Sequence, residues 1–369
     1  MSRSETFARL GLALFFLYVF LVGVKSLETG ISAFGSEFVD QVFASVANPI
    51  AGLAAGVLAT VLVQSSSVTT ATIVGLVGSG VLPVETAVPM VMGANIGTTV
   101  TNTLASLGHV RQSAYFERAL AAATMHDYFN VLSVAVLLPL EMTAGLISSV
   151  SRWLADVVGG LLPEVGTGSS PVKDAIKAPV SWLESGFDNL ASTAEGVIFL
   201  GLGIGMIFVA LWMITRQMKK VMSGRIENAI NGILSKGAGV SAMIVGLLMT
   251  VAVQSSSITT SILVPLVASG VLSLRNAFPV TLGANIGTTV TALLASIAAD
   301  SPEAVVIALA HVTFNVMGIL IFYPVPRLRR LPLAMAARTA SAAVKHKSLV
   351  AGYVVGLFIV APLAIILIS

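Results

Sequence analysis

The sequence predicts an all-α polytopic membrane protein, built as an inverted two-fold repeat with two re-entrant hairpins and two broken transmembrane helices. Apolar residues make up 56% of the 369-residue chain and charged residues only 10%, with a mean hydropathy of +0.95. Soluble domains carry about 25% charged residues. Uncharged stretches long enough to cross a bilayer recur along the chain, each near the length of about 20 residues that a spanning helix needs. The other observation that predicts this fold is an internal sequence repeat.

Two polar motifs occur twice at a constant offset. QSSS at 64–67 and GANIGTTVT from Gly93 return 190 residues later, at 254–257 and from Gly283. Across 46 aligned positions, 61–106 against 251–296, 29 residues are identical. Polar backbone at membrane depth is tolerated where it is enclosed or lines a cavity, and duplicated, interrupted segments point to a transporter's substrate site. Helix packing by small residues accounts less well for two motifs repeated in register.

The first half, residues 1–162, is predicted to contain two ordinary spans, one hairpin and one broken span. The ordinary spans cover about 7–27 and 119–140. The hairpin opens at Asn48-Pro49 and has the first QSSS at its tip, and Gly52 and Gly56 form a GxxxG pattern for close helix packing. The following span is expected to break at Gly93–Gly97, because glycine lets the backbone leave helical geometry.

Two segments of this half mix charged with apolar residues and are expected to lie along the membrane surface. They are residues 28–47 and 141–162. Residues 163–192, which are polar and rich in Gly and Pro, are predicted to form a linker on the extracellular or periplasmic side.

The second half, residues 193–330, is predicted to repeat the first in the opposite orientation. Its expected elements are a span at about 193–215, a hairpin at 237–270, a span broken at Gly283–Gly287 and a span at 304–326. Residues 331–369 are expected to form an amphipathic stretch and a last span. Lys and Arg are concentrated in alternate loops, and loops rich in these residues lie in the cytoplasm. With those loops in the cytoplasm, the two halves have opposite orientations in the membrane.

Composition and motifs exclude several function classes. The chain has no cysteine, so thiolate chemistry and cysteine metal sites are absent. The net charge of +3 lies in short loops between spans and does not indicate a nucleic-acid partner. GANIGTT lacks the Gly-Lys-Ser/Thr ending of a phosphate-binding P-loop. An intramembrane serine hydrolase built on QSSS stays open as a minor alternative, although no His lies within either motif.

The hairpin tips are expected to present helix ends to a ligand. Free N–H groups at a helix N-terminus bind oxyanions without a charged side chain. Hydroxyl, amide and carbonyl oxygens suit a hard cation such as Na⁺. Asn95 and Asn285 are predicted to tie each hairpin tip to the adjacent broken span, because an Asn side chain both donates and accepts hydrogen bonds.

A second repeated element pairs a histidine with an asparagine at membrane depth. The residues are His126, Asp127, Asn130, His311 and Asn315. Ionisable groups there usually face the bundle interior. A proton relay and a structural role as hydrogen-bonded scaffold are both open, and we favour the scaffold.

These motifs resemble the type II sodium-dependent phosphate cotransporters. The resemblance extends through AATMHDYFNVLSVAVLLPLE (122–141), His311, Phe314-Asn315, Tyr323-Pro324 and Arg330-Leu331-Pro332. It implies uptake of inorganic phosphate driven by the Na⁺ gradient, with Na⁺ as coupling ion and no other cofactor. It also implies Na⁺ ligands at Gln254, Ser255, Thr288 and Thr291, and a phosphate site at the first QSSS.

Together, the chemistry of the tips and the resemblance predict two ligand sets. Those for phosphate are Gln64, Ser65, Ser66, Ser67, Asn95, Thr98, Thr99, Ser256 and Ser257. Those for Na⁺ are Gln254, Ser255, Asn285, Thr288 and Thr291. The runner-up function is a Na⁺-coupled carrier of another small anion, such as sulfate or a carboxylate. The small size and lack of cysteine favour a bacterial inner membrane, and the oligomeric state is left open.

Overall fold

The computed structural model describes residues 2–34, 48–161, 171–187, 190–236, 239–299 and 301–368, and within these ranges all regular structure is helical. In chain order the helices are α1 (Arg3–Ala33), α2 (Pro49–Val63), α3 (Ser66–Gly78), α4 (Val84–Gly97), α5 (Val100–Ser106), α6 (Ser113–Ala144), α7 (Leu146–Leu161), α8 (Pro171–Gly186), α9 (Ser192–Lys236), α10 (Val240–Val253), α11 (Ser256–Ala268), α12 (Leu274–Ala298), α13 (Pro302–Phe322), α14 (Pro326–Lys345) and α15 (Ser348–Ile368). Helix α15 contains a π-helical turn at Gly356–Val360.

Six helices of the described ranges are long and apolar enough to cross a membrane. They are α1, α6, α9 over Ser192–Met222, α12, α13 and α15. This confirms the predicted all-α polytopic class. The hairpin helices α2, α3, α10 and α11 are apolar but have 13 to 15 residues each, fewer than the roughly 20 that a spanning helix needs. Their re-entrant placement and the inversion of the halves remain predictions.

The two halves interlock. Helix α1 of the first half packs along α9 of the second, and the hairpin helices cross over, α3 against α12 and α11 against α6. A single buried cluster therefore draws on both halves, with Leu27 and Val74 from the first and Ala292 and Phe314 from the second.

Close helix crossings within each half depend on glycine. A Cβ on Gly93 would lie 2.0 Å from the carbonyl oxygen of Leu53, and one on Gly283 would lie 1.8 Å from that of Met243. These contacts bring α4 onto α2 and α12 onto α10. Gly56 of the predicted GxxxG pattern lies in the first crossing, where a Cβ would meet the Met90 carbonyl oxygen at 2.0 Å.

Both predictions of a helix break are wrong: the first break lies at another position, and the second is absent. In the first half the helix is interrupted at Thr98–Thr99, between α4 and α5, and not at Gly93–Gly97. In the second half α12 runs unbroken from Leu274 to Ala298, through Gly283–Gly287. The physical reason is the crossing just described: these glycines provide room for a neighbouring helix, and helical geometry is kept.

Smaller differences concern the segments between spans. Residues 28–33 continue α1 instead of lying at the surface, and Glu28 pairs with Lys25 at 3.2 Å. The predicted linker contains a helix, α8, while 35–47, 163–170 and 188–189 lie outside the described residues. Helix α7 begins after a turn at Gly145 with φ +56°.

Candidate functional site

Each QSSS motif forms a sharp turn between two short helices. Gln64 and Gln254 end α2 and α10 in the left-handed conformation, with φ of 57° and 56°. They are the only non-glycine residues with positive φ among the described residues. The next serines cap the following helices: Ser65 Oγ accepts from Val68 N at 3.3 Å, and Ser255 Oγ from Ile258 N at 3.4 Å. Side-chain caps of this kind satisfy the free N–H groups of a helix start.

The two turns converge on one cavity of about 230 Å³. Its walls are Val63–Val68 and Gln254–Ser257 from the turns, and Phe208, Leu211, Trp212 and Thr215 from α9. The N-termini of α3 and α11 therefore border the same space, with no charged side chain among its described lining residues. Two helix N-termini facing one space form a setting suited to an oxyanion.

Four other predicted ligands, all threonines, are not among the residues that line the cavity. Thr291 Oγ1 donates to Gln254 Oε1 at 3.1 Å and lies 3.5 Å from Ser67 Oγ, so it connects the two turns. Thr288, Thr98 and Thr99 are buried. Thr288 donates to the Ala284 carbonyl oxygen of its own helix, and Thr98 and Thr99 donate to carbonyl oxygens of the preceding helix α4.

Sequence reasoning missed Thr101, which donates to Gln64 Oε1 at 3.1 Å. It is the counterpart of Thr291 at the repeat offset of 190 residues, and that offset could have identified it. The α9 wall of the cavity carried no such signal, because its residues read as an ordinary apolar span.

Asn95 and Asn285 join the two halves of the protein, and the prediction that they tie hairpin tips to broken spans is wrong. Asn285 Oδ1 lies 2.5 Å from His126 Nε2, and its Nδ2 donates to Asn130 Oδ1 at 2.8 Å. Asn95 Oδ1 lies 3.4 Å from His311 Nε2 and accepts from Asn315 Nδ2 at 3.4 Å. Side chains of matching type at matching positions thus meet across the halves.

Comparison with known proteins identifies the family. The sequence model of the Na⁺/Pi-cotransporter family matches residues 19–153 and 194–336. The chain belongs to this family. It is 32% identical to sodium-dependent phosphate transport protein 2A of sheep, over 97% of this chain and 67% of that protein. The rat 2A protein is 33% identical over 95% and 66%, and the human 2B protein 31% over 97% and 64%. The chain thus spans about two thirds of the relatives' length, and no solved structure matches it.

Membership of the Na⁺/Pi-cotransporter family confirms the resemblance seen in the motifs. With the six apolar helices, it makes this a multi-pass membrane protein, and it confirms a secondary transporter over an enzyme. The two matched segments are separated by residues 154–193, which contain the predicted linker. The exact boundaries of the halves stay a prediction.

Proposed function

We propose that the protein carries inorganic phosphate into the cell together with Na⁺, by alternating access of one central site. The observation that carries the proposal is the convergence of both QSSS turns on one cavity. Neutral hydroxyl and backbone donors hold an anion without a fixed positive charge, so the anion is released more readily than from a lysine or arginine. The sodium-dependent phosphate transport proteins named above support the choice of phosphate and Na⁺.

Phosphate is proposed to bind between the helix N-termini. Its ligands there are Gln64, Ser65, Ser66, Ser67, Ser256 and Ser257, all of which border the cavity. Na⁺ is proposed to bind at Gln254, Ser255, Thr288 and Thr291, and the contact between Thr291 and Gln254 supports this grouping. Asn95, Thr98, Thr99 and Asn285 are proposed to exchange their present hydrogen bonds for ligand contacts during the cycle.

The cavity is proposed to open toward the cytoplasm in this conformation. Trp212 and Thr215 in its wall lie just before Arg216, Lys219 and Lys220 on α9. Excess Lys and Arg marks the cytoplasmic side of a span. The halves at 1–162 and 193–330 are proposed as inverted repeats that rock about this site, in a bacterial inner membrane.

Uptake of radiolabelled phosphate into proteoliposomes, with and without an inward Na⁺ gradient, tests the function. We expect uptake that requires Na⁺ and resists excess sulfate. Ser66→Ala with Ser67→Ala should weaken phosphate binding, while Ser79→Ala at the far end of α3 serves as the matched control. Uptake indifferent to Na⁺, or abolished equally by sulfate, would overturn the proposal.

A further inference from the structure

Helix α14 carries a stripe of basic side chains along its exposed face. Arg327, Arg338 and Lys345, here called the basic stripe, are all exposed and are spaced by 11 and 7 residues. At about 3.6 residues per turn these spacings are close to three and two whole turns, so the three residues lie on the same side of the helix. A rise of about 1.5 Å per residue spreads them over about 27 Å of the helix axis.

The opposite face of α14 packs against the protein itself. Pro332, Ala336, Ala340 and Ala343 are buried, and α14 packs along α6. Ala340 and Ala343 belong to the same buried cluster as Phe116 of α6. The basic stripe therefore faces away from the helix bundle.

The basic stripe has no anionic partner within the described part of the chain. The sequence contains no Asp or Glu after Glu303, and none of the ion pairs between described residues involves a basic side chain of α14. Glu117 of α6 contacts the helix, but its carboxylate accepts from the Ser341 hydroxyl. Arg329, outside the stripe, is only partly exposed and lies over the Tyr323 ring, 5.2 Å from its centroid.

The position of α14 in the chain indicates what the basic stripe contacts. The helix joins α13 to α15, and both of these are long and apolar enough to cross a membrane. Both ends of α14 are therefore held close to one membrane surface. Excess Lys and Arg marks the cytoplasmic side of a span, and basic amphipathic helices at that surface attract anionic lipid headgroups.

The residues between the cations leave space for such a headgroup. Ala334 lies between Arg327 and Arg338, and Ser341 lies between Arg338 and Lys345; both are small and exposed. The guanidinium group of arginine matches the geometry of a phosphate group, to which it donates two parallel hydrogen bonds. The exposed face of α14 thus combines cations that suit phosphate with room for it to approach.

We propose that the basic stripe of α14 binds the phosphate groups of anionic phospholipids in the cytoplasmic leaflet. The inference goes beyond the proposed transport function, which concerns the cavity at the QSSS turns. Phosphatidylglycerol carries a net negative charge, whereas the choline group of phosphatidylcholine cancels the charge of its phosphate. The stripe should therefore select the first lipid over the second. Each Lys or Arg near an anionic surface strengthens association about fivefold.

Native mass spectrometry of the purified protein in a neutral detergent, with phosphatidylglycerol or phosphatidylcholine added, tests the lipid site. We expect tighter binding of phosphatidylglycerol. Arg327→Gln with Arg338→Gln should weaken it about 25-fold and leave phosphatidylcholine binding unchanged. Arg3→Gln with Lys219→Gln is the matched control, because it removes the same charge from exposed positions of α1 and α9, and it should leave both lipids nearly unaffected. Equal losses in the two pairs, or equal binding of the two lipids, would overturn the proposal.

Three further measurements cover the remaining outcomes. If the Arg327→Gln pair does not fold, Lys345→Gln alone should weaken phosphatidylglycerol binding about fivefold, and unchanged binding in that variant would refute the site. Arg327→Lys with Arg338→Lys keeps both charges and should retain most of the binding; complete loss would argue against a charge-based site. Excess inorganic phosphate should displace no more lipid than NaCl at the same ionic strength, and greater displacement would show that the stripe takes the free ion instead. None of these measurements requires transport, so their outcome does not depend on the proposed function.

Discussion

His126 Nε2 and Asn285 Oδ1 lie 2.5 Å apart and join the first half of the protein to the second. The corresponding pair, His311 and Asn95, lies 3.4 Å apart. The repeat therefore uses the same two residue types in both crossings, with a closer contact on one side. Because all four side chains are buried, losing one partner leaves polar atoms without hydrogen bonds in the bundle interior.

Replacement of Asn285 by Ala is expected to destabilise the protein and loosen coupling. It removes the partner of His126 and Asn130, and each unsatisfied buried group costs about 1–3 kcal/mol. Thermal unfolding in detergent should shift downward, and Na⁺ should leak without phosphate in proteoliposomes. Asn276→Ala, at the half-exposed start of the same helix, is the control. Tight coupling and unchanged stability in Asn285→Ala would contradict the expectation.

Substitution of Thr291 by Val tests whether the two QSSS turns differ in their contribution to Na⁺ binding. Valine keeps the shape and removes the hydroxyl that donates to Gln254. If this cluster holds Na⁺, the Na⁺ concentration for half-maximal uptake should rise about tenfold, which corresponds to about 1.4 kcal/mol. Thr101→Val removes the equivalent bond to Gln64 and should leave Na⁺ dependence nearly unchanged. Equal shifts in both variants would show that the turns share the Na⁺ role.

Addition of a methyl group at Gly283 should prevent the crossing of α12 over α10. The new Cβ would lie 1.8 Å from the Met243 carbonyl oxygen, and backbone has to move to relieve such overlap, typically at a cost of about 1–3 kcal/mol or more. Gly283→Ala should give little folded protein by size-exclusion chromatography. Gly201→Ala, with nothing within 4 Å of the added carbon, should fold normally. A well-folded Gly283→Ala would argue against the close crossing.

The sequence predicted those features that leave a local or repeated pattern. Hydropathy located the spans, and the repeated QSSS located both helix ends, because polar residues in apolar segments are conspicuous. The glycines of GANIGTT were misread, since a glycine that relaxes a helix and one that admits a neighbour look alike until the neighbour is known. The α9 wall and the contact of Tyr353 with Asp127 join residues far apart in the chain, 226 positions for the latter, and no local pattern encodes which helices meet.

The left-handed backbone of Gln254 allows its structural and ligand roles to be separated. A residue with a Cβ pays about 1–2 kcal/mol in this conformation, whereas glycine adopts it freely. Gln254→Gly should therefore keep the turn at φ near 56°, and Gln254→Ala should keep the strain while losing the bond from Nε2 to the Val251 carbonyl oxygen. We expect the Gly variant to be about 1 kcal/mol more stable than the Ala variant by thermal unfolding. Both should lose Na⁺ affinity to the same extent, because both lack the amide oxygen. Na⁺ affinity that follows stability, high in Gly and low in Ala, would mean that the turn's backbone geometry holds the ion and the glutamine side chain does not.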